Sequence, residues 1–144
     1  LKDDYSNPWI YQGEVFTEED VKDYVGFVYL ITHLPTGKKY LGRKYLKQHR
    51  KPKGAKRRVT QASNWKKYYG SNLELKALVK EEGEQNFKRE ILSLHKTEGK
   101  VNFEETRLLF LYNVLTEKLE NGESAYFNNQ ILSRYYKKDY FFME

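Results

Sequence analysis

The sequence predicts an α+β fold: a small three-stranded, mostly antiparallel sheet flanked by helices, with a basic insertion and an irregular C-terminal extension. Two short apolar runs, residues 26–32 (GFVYLIT) and 38–42 (KKYLG), flank the turn signal Leu34-Pro35-Thr36-Gly37 and read as an antiparallel hairpin. Residues 87–94 (FKREILSL) supply a third strand, and residues 72–82 and 103–117 repeat apolar side chains at helical spacing. A chain of 144 residues suits one domain with a modest core. The expected layout is an extension over residues 1–25 packed on the domain, the domain itself over 26–131, and a basic, aromatic tail over 132–144.

The elements follow in order. Pro8, Trp9 and Tyr11 mark a segment that packs rather than a free tail, and Thr17 with Asp20 signals a short helical start. Alternation along the first strand puts Phe27, Tyr29 and Ile31 on one face and Val28 and Leu30 on the other. The segment after Gly42, interrupted by Pro52 and Gly54, reads as a long loop with helical pieces reaching about Thr60. Ser71 with Glu74 predicts a capping box for the helix over 72–82, whose stripe is Leu75, Leu78 and Val79 and whose stop is Gly83. Asn102 predicts the cap of a helix over 103–117 that turns Leu108, Leu109, Tyr112 and Leu115 inward.

Composition excludes several chemistries. With no cysteine, the chain has no disulfide, zinc ribbon, iron–sulfur cluster or thiolate nucleophile, and His33, His49 and His95 are scattered. An essential metal is therefore expected on carboxylate oxygen. No apolar run approaches the ~20 residues of a membrane span, and the first residues do not resemble a signal peptide. The expectation is a cytoplasmic protein that makes no membrane contact, with Leu1 not an initiator.

The net charge of +6 hides its distribution. Between Asp23 and Glu74, 50 positions hold no acid and 13 basic residues, whereas residues 1–23 are net −5 and residues 74–144 net −2. Such a block is the electrostatic signature of a polyanion partner, because each neutralised phosphate releases condensed counterions. A solvated basic loop or an anionic membrane patch is the bland alternative.

The hairpin sets Tyr29 and Tyr40 on neighbouring strands, the second followed at once by Gly42, Arg43 and Lys44. Phe27-Val28-Tyr29 and Tyr40-Leu41-Gly42, about ten residues apart, resemble the two half-motifs of the GIY-YIG nuclease family. The segment Trp65-Lys66-Lys67-Tyr68-Tyr69-Gly70-Ser71, the Asn86-Phe87 to Ile91-Leu92 strand and the helix bearing Glu105 are similar to small phage-encoded, Seg-like homing endonucleases. The order and spacing of the motifs, over residues 26–131, carry the resemblance. It implies hydrolysis of a DNA phosphodiester with Mg²⁺ (or Mn²⁺). By the resemblance, Tyr40 acts near the attacking water as base or orienter, Tyr29 supports it, Glu105 binds the metal, a basic residue stabilises the scissile phosphate, and Asn128 helps complete the site.

Elementary chemistry stands beside the analogy. Phosphodiester hydrolysis accumulates negative charge on oxygen and needs fixed cations or a metal. Arg43 and Lys44 directly follow the strand end that presents Tyr40, and their field is expected to lower the ordinary tyrosine pKa of ~10. Glu105 shares a helix face with Leu108, Leu109 and Tyr112 and is expected to face the sheet. The alternatives are structural: Tyr29 as a core aromatic, Glu105 as a capping-box partner with Glu104 in its place, Arg43 and Lys44 as phosphate anchors, and Asn128 or Asn129 as turn residues.

Two departures from the family pattern matter. Phe27 stands where the first motif usually has glycine, and residues 43–58 (RKYLKQHRKPKGAKRR) replace a helix that commonly carries an arginine. Lys44 with Arg43, then Arg57 or Arg58, are the candidates for that arginine's role, with His49 a further candidate base. Lys51, Lys53, Lys56, Arg57, Arg58, Lys66 and Lys67 are the expected DNA contacts. Trp65, Tyr68 and Tyr69 either pack or stack on nucleotides. The expected activity is that of an endonuclease, with a catalytically inactive nucleic-acid-binding module on the same fold as the alternative.

Overall fold

The computed structural model describes residues 5–51, 53–54, 56–57 and 59–141. Its strands and helices are β1 (Trp9–Tyr11), β2 (Glu14–Val15), α1 (Glu18–Val21), β3 (Gly26–His33), β4 (Lys39–Tyr45), β5 (Lys47–Arg50), β6 (Val59–Ala62), α2 (Leu73–Glu82), β7 (Phe87–His95), α3 (Glu98–Leu111), β8 (Gln130–Ile131), β9 (Tyr135–Tyr136) and α4 (Lys137–Tyr140). The expected α+β architecture is present, but the sheet has five strands rather than three, in the order β2-β1-β7-β3-β4. The extra pair comes from the N-terminal segment: β1 lies parallel to β7, and β2 folds back on it. Trp9 drives this addition, being fully buried with its indole N–H donating to the Trp65 carbonyl at 2.7 Å.

Both faces of the central hairpin are covered, as the alternation of β3 requires. Phe27, Tyr29 and Ile31 join Trp9, Phe16, Trp65, Leu75 and Phe87 beneath α2 and the segment leading into it. Val28 and Leu41 pack on the opposite face against Leu108 and Leu109 of α3 and the C-terminal segment. The buried guanidinium of Arg89 is held by carbonyl oxygens of Asn7 and Tyr68 and lies against the rings of Trp9 and Tyr69. It pins the 68–70 segment to the sheet.

Three local expectations are corrected. The stretch expected as a loop with helical pieces contains a β-ribbon, with β5 and β6 paired antiparallel outside the main sheet. The cap of α2 is Asn72, whose side chain accepts from the Leu75 amide at 2.9 Å, so the Ser71 capping box is not formed. α3 begins at Glu98 behind the Thr97 cap and ends at Leu111, leaving Asn102 inside the helix and Tyr112 exposed. The short helix α1 forms as expected, with the Asp20 carboxylate accepting from the Thr17 amide at 2.8 Å. No helix among the described residues is long and apolar enough to cross a membrane.

Candidate functional site

β4 is the last strand of the sheet, and its outer edge divides into two halves. The first half is sealed by the C-terminal segment: the Lys39 amide donates to Ala125 and the Phe127 amide donates to Lys39. The second half borders a cleft of about 530 Å³ lined by Tyr29, Tyr40, Gly42, Arg43, Lys44, Tyr68, Ser71, Glu98 and Glu105, among others. Because β4 is an edge strand, side chains from both its faces reach this cleft. Tyr40 and Lys44 form one bank with Tyr29, and Arg43 forms the other with α3.

The tyrosine bank is tightly built. Gly42 lies opposite Tyr29 in the register, and a Cβ on it would fall 2.5 Å from the Tyr29 hydroxyl. Gly70, with φ +87°, makes a similar close approach to the Tyr40 ring. The Tyr40 hydroxyl and the Ser71 hydroxyl are 3.2 Å apart. Burial pushes both tyrosines above the ordinary range, Tyr29 most strongly. For Tyr40 the Ser71 hydrogen bond and then the Arg43 charge oppose that rise without overcoming it. Arg43 thus acts on the Tyr40 pKa in the expected direction, but the net shift is upward because burial outweighs it. Lys44 lines the cleft with its ammonium engaged, donating to Asn64 Oδ1 at 2.6 Å and lying 4.1 Å from the Tyr68 ring centre.

On the other bank, the Arg43 guanidinium donates to Glu105 Oε1 at 2.6 Å. The Glu105 side chain keeps 13% of its surface exposed, enough to meet a ligand in the cleft. Glu104 is spent elsewhere, accepting two hydrogen bonds from Arg107 at 2.8 Å each. With α3 capped by Thr97, Glu105 lies mid-helix, which disposes of the capping-box alternative. Tyr45 next to this pair donates to Asn102 Oδ1 at 2.5 Å, a use for Asn102 that its expected capping role concealed.

The comparisons with known proteins bear on this arrangement. A family model described as "Putative endonuclease segE, GIY-YIG domain" matches residues 9–131. The chain belongs to this family. No curated protein and no solved structure matches it. The match to the SegE-type GIY-YIG domain begins at the first residue of β1 and ends at the last residue of β8. The added strands β1 and β2 are thus inside the family unit.

Asn128 of this GIY-YIG domain does not line the cleft. Its amide accepts from the Leu41 N–H at 3.1 Å and donates to the Leu41 carbonyl at 2.8 Å, as a paired strand would. It fixes the backbone between Tyr40 and Gly42, whereas Asn129 is exposed. Lys51, Lys53, Lys56 and Arg57 are exposed in the segment joining β5 and β6, and Arg58 lies outside the described residues. Lys66 pairs with Glu18 and, with exposed Lys67, borders a neighbouring groove. Trp65 and Tyr69 are buried, as packing residues are, while Tyr68 lines the cleft. His49 borders the cleft on β5, hydrogen-bonded to Thr60 at 3.0 Å. Sequence reasoning missed Ser71 as the Tyr40 partner; its place directly before the Asn72 cap was the available signal.

The donor set fits one kind of metal site. Among the described residues no three His, Cys, Asp or Glu side chains gather, which rules out a closed protein cage there. Glu105 is a carboxylate at the cleft with Glu98 on the same wall. Mg²⁺ sites in proteins are commonly of this kind, one or two carboxylates completed by water and substrate phosphate.

Proposed function

We propose that the chain is a divalent-metal-dependent endodeoxyribonuclease that hydrolyses DNA phosphodiester bonds in the β4 cleft. The convergence of Tyr40, Arg43 and Glu105 on one cleft, from two faces of an edge strand, is the observation that carries the reading. Hydrolysis joins a water oxygen to phosphorus and breaks one ester bond, the departing oxygen taking up a proton. The Tyr40 hydroxyl, 3.2 Å from that of Ser71, orients the attacking water and, once ionised, accepts its proton as general base. Tyr29 and Gly42 form the floor that fixes the Tyr40 ring, whose centre is 6.2 Å from that of Tyr29. Arg43 supplies a fixed cation for the non-bridging oxygens. Glu105 would hold Mg²⁺ or Mn²⁺, which when bound neutralises phosphate charge and makes its water more acidic. Asn128 is a positioning residue. The Seg-type resemblance supports a mobile-element or phage enzyme that acts as a homing endonuclease on duplex DNA.

The test is nicking of supercoiled plasmid by purified protein with Mg²⁺, with Glu105→Gln as control. Metal-dependent nicking that the variant lacks is expected. Salt-sensitive DNA binding without nicking, at several protein concentrations, would instead mark a catalytically inactive binding module.

A further inference from the structure

We infer that the β5–β6 ribbon enters the major groove of duplex DNA beside the cleft and reads base edges with Gln48 and Gln61. The inference rests on the nuclease reading only for where the ribbon lies relative to the cut. The ribbon is built as a projection: β5 and β6 pair with each other alone among the described strands, and all four β6 residues are exposed. Its root is rigid. Leu46 is buried, the Ser63 amide donates to the Leu46 carbonyl at 2.9 Å, and the Ser63 hydroxyl donates to the Tyr45 carbonyl at 2.6 Å.

Size and chemistry favour the major groove. Two strands ~4.8 Å apart with their side chains make a ribbon that B-DNA's ~12 Å major groove admits as it stands, whereas the ~6 Å minor groove would have to be widened at a cost in deformation. Gln48 and Gln61 stand directly opposite in the register and so share one face. Neither side-chain amide has a hydrogen-bond partner among the described residues, and each matches the donor–acceptor pair on the edge of adenine. The cations Lys51, Lys53, Lys56 and Arg57 lie beyond the strands in the connecting segment, where they would meet the phosphates flanking the groove. β6, Val59-Thr60-Gln61-Ala62, carries no cation, and of the two cations in β5, Lys47 donates to the Lys22 carbonyl at 3.1 Å and Arg50 is the last residue before the connecting segment. Gln48 also borders the cleft and lies on the same chain direction as Arg43. Five residues of extended chain span at most ~18 Å, or ~5 base pairs. The bases read therefore lie within about that distance of the cut.

The test starts with selection from a random duplex library by the full chain in EDTA, then compares affinities for the enriched and a scrambled duplex. The expected result is an enriched motif of a few base pairs. The Gln48→Ala/Gln61→Ala double variant should lower the enriched-to-scrambled affinity ratio by roughly tenfold or more. Methyl green, which occupies the major groove, should displace the protein, whereas netropsin, a minor-groove binder, should not. An unenriched library, an unchanged ratio or displacement by netropsin alone would overturn the inference. A selected motif on DNA that the wild type never nicks leaves the ribbon's role standing and removes the nuclease reading. Absence of duplex binding removes both.

Discussion

Gly42 and Tyr29 occupy the same space across the β3–β4 pair: the tyrosine hydroxyl sits where any larger residue would put its Cβ, at 2.5 Å. The glycine of the second motif is thus required by the tyrosine of the first. Gly42→Ala should push the Tyr29 ring aside, cost about 1–3 kcal/mol as overpacking does, and abolish nicking. Thermal melting and plasmid assays check this. Tyr29→Phe added to Gly42→Ala should recover part of the lost stability, because it removes the closest clashing atom.

The hydrogen bond between Ser71 and Tyr40 opposes the rise that burial imposes on the Tyr40 pKa. Ser71→Ala should therefore move the ascending limb of the pH–rate profile to higher pH, with the rate at neutral pH reduced. A limb that stays in place would show that Tyr40 ionisation does not set it.

Arg43 and Glu105 form a partly exposed pair, so breaking it should alter stability by no more than about 1 kcal/mol. Activity should respond far more. Arg43→Gln is expected to lower kcat about 100-fold or more through loss of a fixed donor to developing charge. Denaturant melts beside single-turnover cleavage separate the two effects.

Lys137 is half-buried against Ser124 and the Tyr126 carbonyl, and burial lowers its pKa to about 8. An unfolded lysine keeps its proton to ~10.4, so between those values the unfolded chain binds more protons and stability rises with pH. Stability should increase from pH ~8 to ~9.5, below the ionisation of ordinary tyrosines near ~10. Lys137→Met should flatten this rise, as urea melts across that window would report.

The hairpin and its tyrosines were legible because each strand of that pair states its partner locally: alternation in β3, a turn at Pro35-Thr36-Gly37, and a second apolar run. β7 and the stripe of α2 were legible for the same reason. β1 was not, since three residues acquire a strand's identity only from their partners on β7, eighty positions away. The ribbon was hidden because both its faces meet solvent, leaving no apolar alternation to read. Competing caps explain the helix starts: Ser71 and Asn72 are adjacent, and Asn102 directly precedes the apolar Phe103 whereas the true cap Thr97 is followed by Glu98 and Gly99. Within the site, Tyr29, Tyr40, Arg43 and Glu105 were identified through motif resemblance, whereas the orientation of Asn128 toward Leu41 depends on tertiary folding that no short motif records.

Asn128 has one more consequence. By answering both the N–H and the C=O of Leu41 with a side chain, it completes the sheet without offering a further backbone to pair with. A strand from another molecule that tried to add to β4 would find this position already taken. The sheet therefore closes itself against polymeric growth at the border of its reactive cleft, and a single amide serves as the stop.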